Sequence, residues 1–296
     1  MIPSVSVRDL TVRYGATTAV GDLTVELAPG KIYGLLGRNG SGKTSLLSVL
    51  AAYRKADGGS VRVDGEDPFE NPRTMRDTVF IRDTLDLADG DRIGRILDFH
   101  ARLRPRWDAD YAAHLLDVFG LDRRTRPSAL SRGQRSSLGV VLGLACRAPL
   151  TLLDEVYLGM DAAARTAFYR ELLDDYLAHP RTIVLSTHLI QEVADLFEEV
   201  VIIDRGRLVV QEDTDTFRSR GVAVTGPAEA VETFVSGRTV LGTQSLGGVS
   251  QATLYGSLGD EEELRAEQAG LSIAPVGIQD LFVHLTSGEH TPEAVR

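Results

Sequence analysis

Several groups of residues in this chain have the types and spacing that phosphate chemistry requires. The first is Gly37-Arg38-Asn39-Gly40-Ser41-Gly42-Lys43-Thr44, followed by Ser45. The pattern G-x-x-x-x-G-K-[ST] puts glycine where the backbone must take φ > 0 and leave its N–H groups free to surround phosphate oxygens. In such a loop the lysine, here Lys43, reaches the terminal phosphates, and the hydroxyl of Thr44 is a ligand for Mg2+. A second group is the acidic pair Asp154-Glu155, in which Asp154 suits the Mg2+ shell and Glu155 an attacking water. A third is Ser131-Arg132-Gly133-Gln134 at a helix start, where a hydroxyl and a glycine suit a phosphate oxygen. His188 and the ring of Tyr14, placed to stack on a base, complete the set. Each has an ordinary structural explanation when taken alone. Serine before a helix is usually a cap, acidic pairs at strand ends are common, and a lone histidine is more often structural than catalytic.

These residues do chemistry together only if a scaffold brings them to one place. Ile32 to Leu36 is an apolar run and Ser45 to Ala52 is helical in pattern, so the loop lies between a strand and a helix whose positive end faces the phosphates. Thr78 to Ile81, Leu150 to Leu153 and Thr182 to Ser186 read as buried strands. Asp154-Glu155 and Thr187-His188 then fall at strand carboxyl ends, where open α/β sheets gather their ligands. Side chains alternate along a strand, which predicts that Asp154 and Glu155 face different tasks. Residues 5–27 alternate in short runs (Val5/Val7, Leu10/Val12, Leu23/Val25/Leu27), the pattern of an antiparallel β layer with Tyr14 at its edge. Asp91 to Leu103 and Asp108 to Phe119 carry helical spacing, with Asp108 as N-cap and Gly120 as stop. Ser131 caps a helix running to Arg147, and residues 161–178 form another. Beyond residue 212 the chain turns to short alternating runs with helices near 227–235 and 260–269, and an apolar helical run, Ile278 to Leu285, that docks back. The expected architecture is an α/β domain over 1–212, with a helical insertion at about 85–147, and a small α+β extension over 213–296.

Composition narrows the function classes. With 296 residues, 43% hydrophobic and 25% charged, the chain has the balance of a globular protein with a full core. Its longest apolar stretches, Leu138 to Cys146 and Leu150 to Leu153, fall well short of the ~18 residues needed to span a bilayer. Met1-Ile2-Pro3-Ser4 lacks the basic start and apolar run of a secretion signal, and Cys146, the only cysteine, forms no intrachain disulfide. The expected compartment is the cytosol. A formal charge of −10 argues against broad attachment to nucleic acid, and the cluster Arg123, Arg124 and Arg126 reads as a solvated loop.

Taken in order, Tyr14, Gly37 to Thr44, Leu130 to Gln134, Leu150 to Glu155, Asp161 and His188 resemble the ATP-binding subunit of an ABC transporter. The resemblance implies a P-loop NTPase core with an antiparallel β layer and a helical subdomain. It implies an aromatic A-loop (Tyr14), a Walker A loop (Gly37 to Thr44), a signature motif (Ser131, Gly133, Gln134), a Walker B strand, a D-loop ending in Asp161 and a switch histidine (His188). ATP and Mg2+ follow as ligands, with Lys43, Glu155 and His188 catalytic and Thr44 and Asp154 on the metal. The family also implies head-to-tail pairing, as a homodimer or with a paralogous ATPase, in which the signature of one subunit closes over ATP held by the other. A separate membrane-spanning subunit is the expected partner, which places the chain on the cytoplasmic face of the membrane. The stretch from Trp107-Asp108 through Leu121 into Leu130 to Gln134 is similar to single-domain subunits of bacterial export systems related to antibiotic resistance, so export is the expected direction, with import and a low-turnover ATP switch as alternatives. Two positions depart from the family pattern. Arg132 stands where most members have Gly, and Arg82-Asp83 stands where a glutamine usually follows the strand; Asp83 is expected to approach Mg2+ through water.

Overall fold

In the computed structural model, which describes residues 2–83 and 90–286, the alternating N-terminal residues form an antiparallel layer. β1 (Val5–Tyr14) and β2 (Thr17–Leu27) make a hairpin; β3 (Ile32–Leu36) leads through the loop to α1 (Lys43–Leu50), and β4 (Gly58–Val63) returns to the free side of β1. Val5, Val7, Leu10, Val12, Leu23 and Val25 are buried, as the period of two requires. α2 (Pro72–Asp77), which the periodicity does not announce, starts on an Asn71 cap with proline in the first turn and feeds β5 (Thr78–Arg82). The expected helical segment opens at residues 85–89, which lie outside the described residues. Its described part holds α3 (Ile93–Leu103), α4 (Ala109–Val118) and α5 (Arg132–Ala145). Asp108 caps α4 by accepting from the Tyr111 N–H at 2.7 Å, and Gly120 stops it at φ +61°.

β6 (Leu150–Asp154), α6 (Ala162–Ala178) and β7 (Thr182–Thr187) complete the parallel core. Its strands lie in the order β5-β6-β7-β3. They are buried on both faces, which is why they read as continuous apolar runs. Register then fixes the site. Leu36 pairs with Thr187 and Asp154 with Ser186, so the residues that follow β3, β6 and β7 emerge at one edge of the sheet. At the opposite end, ion pairs fasten α5 to α6: Arg147 reaches Asp175 at 3.2 Å and Asp108 at 2.8 Å, and Arg181 reaches Asp175 at 2.7 Å. Asp175 and Arg181 are both buried. Removing Asp175 would leave the buried Arg181 charge without its carboxylate, at a cost of about 3–5 kcal/mol.

The chain divides into two units, 1–188 with 203–208, and 189–202 with 209–296. The compositional shift near residue 212 therefore marks only the last of the crossings between them. The second unit begins with α7 (Ile190–Val193) and contains most of β8 (Glu199–Asp204) and β9 (Arg207–Asp213), whose connecting turn belongs to the first unit. α8 (Thr214–Ser219) is capped by Asp213. Then come β10 (Gly221–Pro227), α9 (Ala228–Val235), β11 (Val240–Leu246), β12 (Val249–Tyr255), α10 (Asp260–Gln268) and β13 (Ser272–Pro275). The strands pair antiparallel in the order β11-β12-β10-β13, so this βαββαβ run has the ferredoxin-like arrangement. Val222, Val224, Ala252 and Leu254 of the sheet pack on Val231 of α9 and Ala266 of α10. α11 (Ile278–Thr286) docks back against β11 and α7. No helix among the described residues is long and apolar enough to cross a membrane.

Candidate active site

Between β3 and α1 the backbone turns through Gly40 at φ +80° and Gly42 at φ +107°. Gly42 admits no side chain, because a Cβ there would lie 2.6 Å from the Ala19 carbonyl oxygen of β2. The loop is braced from a second side as well. Gly206 donates its N–H to the Ser41 carbonyl at 2.9 Å, and its own carbonyl accepts from Gly21 at 3.0 Å. No side chain caps the N-terminus of α1, which leaves that end to an anion. The cavity in front of it, about 360 Å³, is lined by Ala19, the run from Asn39 to Ser45, and Glu155. The Ser41 hydroxyl is buried here with no hydrogen-bond partner. A glycine cradle, an uncapped helix start and an unmet hydroxyl together fit a phosphate chain.

Lys43, only 5% exposed, donates to the carbonyls of Gly37 at 2.6 Å and Arg38 at 3.2 Å. Its ammonium also lies 3.5 Å from the Glu155 carboxylate. Thr44 donates to Asp154 Oδ2 at 2.6 Å, and the Ser186 hydroxyl donates to Asp154 Oδ1. Burial pushes the Asp154 carboxyl above its ordinary value, and these hydroxyl donors offset part of that rise. A buried carboxylate that is costly to ionise alone, beside a threonine hydroxyl, fits a hard divalent cation such as Mg2+.

The two acids do not diverge by strand alternation as expected. β6 stops at Asp154, and Glu155 takes φ +50°, a left-handed conformation that costs a non-glycine residue about 1–2 kcal/mol. This single strained residue swings its carboxylate toward Lys43 and toward His188, whose Nδ1 lies 3.4 Å from Glu155 Oε1. Behind His188 stands Tyr157, which sequence reasoning missed. A tyrosine just past an acidic pair carries no motif signal and reads as core.

The remaining predicted residues lie apart from this cluster. Ser131 caps α5 in a reciprocal box with Gln134, at 3.2 Å and 3.0 Å. Gly133 lies so close to the 156–160 turn that a Cβ would meet the Gly159 carbonyl at 2.4 Å. Neither these residues nor Tyr14 line the loop cavity. Tyr14 is half exposed, and the Arg54 guanidinium sits 4.2 Å from its ring centroid, tied to Asp57 at 2.9 Å. Asp161 caps α6 through the Ala164 N–H at 2.8 Å. Asp83 does not join Thr44 and Asp154 through its side chain. Its N–H donates to the Asp154 carbonyl at 3.1 Å, whereas its carboxylate lies 3.7 Å from Arg132, the cation that this chain places at the start of α5.

The family described as ABC transporter matches residues 20–157. The aliphatic sulfonates import ATP-binding protein SsuB of Cupriavidus necator is 31% identical over 226 residues, 75% of this chain and 73% of that protein. The daunorubicin/doxorubicin resistance ATP-binding protein DrrA of Streptomyces peucetius is 30% identical over 217 residues, 70% of this chain and 64% of that one. Other curated relatives are longer, and the chain spans 59% and 38% of two of them. A solved structure of an ATP-binding subunit of an ABC transporter superposes with a TM-score of 0.65 at 25% identity, covering 72% of this chain and 91% of its own.

Proposed function

This chain belongs to the ABC transporter family, among its ATP-binding proteins, and from that premise we propose that it hydrolyses ATP to drive a separate membrane-spanning subunit. One observation carries the reading: the Glu155 carboxylate lies within 3.5 Å of the Lys43 ammonium and 3.4 Å of the His188 ring, on the wall of the loop cavity. In this reading the loop N–H groups and the Ser41 hydroxyl bind the phosphate chain, and Lys43 leaves the carbonyls of Gly37 and Arg38 for the terminal phosphates. Glu155 polarises the attacking water, His188 contacts the γ-phosphate, and Tyr14 stacks on the base. Thr44 and Asp154 would hold Mg2+, which would supply charge neutralisation at the phosphates.

Ser131, Gly133 and Gln134 do not line the loop cavity, which supports a shared site. A second subunit, a copy or a paralogue, presents them head to tail across a two-fold axis. The partner in the membrane places the chain at the cytoplasmic face. Export is the direction favoured by the likeness to a drug-resistance protein and by the 107–134 stretch, although the relatives include proteins named for import. Nucleic acid is not a partner in this reading, given the net charge of −10.

The test is Glu155→Gln with ATP and Mg2+. The variant is expected to bind ATP, to hydrolyse it slowly and to accumulate as a dimer that adding Ser131→Arg abolishes, read by light scattering. A Glu155→Gln chain that stays monomeric under saturating nucleotide sinks the shared site. Asp83 facing Arg132, where the family has glutamine, favours a second reading, an ATP-driven switch with little turnover. Turnover of the unsubstituted chain, with and without the membrane protein that copurifies with it, separates the two.

A further inference from the structure

A residue held in the left-handed region, as Glu155 is, stays there only where its surroundings over-determine it. The Glu155 carbonyl accepts from the Leu158 N–H at 3.0 Å, which closes the turn that follows β6. The Leu158 carbonyl in turn accepts from the hydroxyl of Ser136, one turn into α5, at 2.6 Å. A carbonyl oxygen cannot donate, so the direction of this bond is fixed. Ser136 is only 4% exposed, and losing its hydroxyl would leave a half-buried carbonyl unmet. The start of α5 meets the same turn again at Gly133, where a Cβ would lie 2.4 Å from the Gly159 carbonyl oxygen and 3.4 Å from the Met160 Cα. These are backbone atoms, which cannot swing aside as a side chain can, so helix and turn pack at a distance that only glycine allows. Midway along the turn is Tyr157, 1% exposed, whose hydroxyl oxygen accepts from the His188 N–H at 3.1 Å. The turn that α5 grips therefore carries Glu155 at one end and reaches His188 from its middle.

We propose that Ser136 is a positioning residue which, through Leu158, holds the 155–160 turn so that the Glu155 carboxylate stays on the wall of the loop cavity. Ser136 does not line that cavity and acts only through the backbone of the turn. The separations of 3.5 Å to Lys43 and 3.4 Å to His188 depend on where that backbone lies. Gly133 has the matching task of letting α5 come close enough for the bond. The hold on the turn stands on geometry alone, and its effect on catalysis rests on the function proposed above. In that function α5 serves two sites: its first residues meet the nucleotide of a partner subunit, and its next turn sets the general base of its own.

The experiment pairs amide hydrogen exchange with kinetics on the full chain. The Leu158 and Met160 N–H groups are both bonded within the turn. In Ser136→Ala their exchange is expected to rise about tenfold or more, with amides of β6 and α5 changed less than about threefold. kcat for ATP is expected to fall about tenfold, within the cost of displacing a catalytic group by about 1 Å, with KM changed less than about twofold. Ser136→Cys, which puts a weaker donor in the same place, is expected to fall between the two and serves if Ser136→Ala fails to fold. In a Glu155→Gln background, Ser136→Ala should lower the residual rate no further. Unchanged exchange at both amides, loosened amides with full kcat, or additive losses in the double variant overturns the assignment. If the amides loosen as expected and the unsubstituted chain hydrolyses no ATP, the proposed function fails while the hold on the turn stands.

Discussion

Between Gly37 and Thr44 the backbone takes φ values that most residues avoid, a lysine is buried, and a serine hydroxyl lacks a partner. At Glu155 a non-glycine residue is left-handed. In the β10–β13 layer, by contrast, no described non-glycine residue has positive φ, every strand pairs in continuous register or with a single shift, and the seam is Val222, Val224, Ala252 and Leu254 against helices. Both regions are made of short strands and helices. The difference teaches where to look for chemistry: positive-φ backbone, a buried cation and an unmet hydroxyl coincide around the loop and Glu155, and the layer shows no such coincidence.

The largest expected effect sharpens this contrast. Glu155→Gln should slow ATP hydrolysis by about 10²–10⁴-fold, the range for a lost general base, and should raise rather than lower thermal stability or leave it unchanged. Lys43→Ala should instead weaken nucleotide binding, measured by calorimetry. Equal loss of affinity in both variants removes the role given to Glu155.

The reverse pattern is expected in the β10–β13 layer. Leu254→Ala should cost about 2–4 kcal/mol in urea unfolding of the second unit, through lost burial and a residual cavity. ATP turnover well below the melting transition should not follow it. If turnover falls in step with stability, the layer belongs to the machinery and the comparison breaks.

His100 tests whether an unmet buried polar atom is enough to mark a site. Its Nδ1 is buried with no partner, and burial, with a smaller contribution from Arg104, pushes its pKa down to about 4. The unfolded chain therefore binds more protons than the folded one between about pH 4 and 6.5, so stability is full above that window and is lost as pH falls through it. The loss should reach about 2–3 kcal/mol near pH 4. His100→Phe should flatten that part of the stability profile and leave nucleotide affinity as it was. Acid lability is the expected consequence.

Tyr14 gives the smallest effect, about 1 kcal/mol of nucleotide affinity lost in Tyr14→Ala, with ATP and GTP suffering alike because stacking is indifferent to the base. Tyr14→Phe should be nearly silent in a fluorescence titration. A phenylalanine as damaging as alanine would show that the hydroxyl matters and that stacking does not.

The phosphate loop, the strand ends and the caps at Asp108 and Ser131 were legible because each depends on a short local pattern. A glycine spacing, a hydroxyl before a helix or an unbroken apolar run carries its own physical reason. α2 was not read, because a helix of six residues is too short for its periodicity to stand out. Glu155 was singled out for the right neighbourhood and the wrong geometry. Nothing in the run Leu152 to Val156 says that Glu155, just past the strand, turns left-handed. Tyr157 and the Asp83–Arg132 pair were invisible for a further reason. Their partners, His188 and the start of α5, are brought to them only by the parallel register and by the approach of Gly133 to Gly159. The boundary near residue 212 was read from composition, which cannot register a chain that leaves a unit and comes back.

That return bears on when the protein becomes able to bind its ligand. Gly206 supplies a strut to Ser41 and takes one from Gly21, so a loop encoded early in the chain is finished by a turn made more than half the chain later. During synthesis, which proceeds from the N-terminus, the β1–β2 hairpin and α1 emerge with the loop still lacking that support. Contacts so distant in sequence close slowly, since the intervening segment must be ordered before they gain anything. A ribosome-bound chain arrested before residue 203 should therefore hold nucleotide poorly, and the same chain extended past residue 208 should hold it well. On that expectation, competence to bind arrives as a late step of folding.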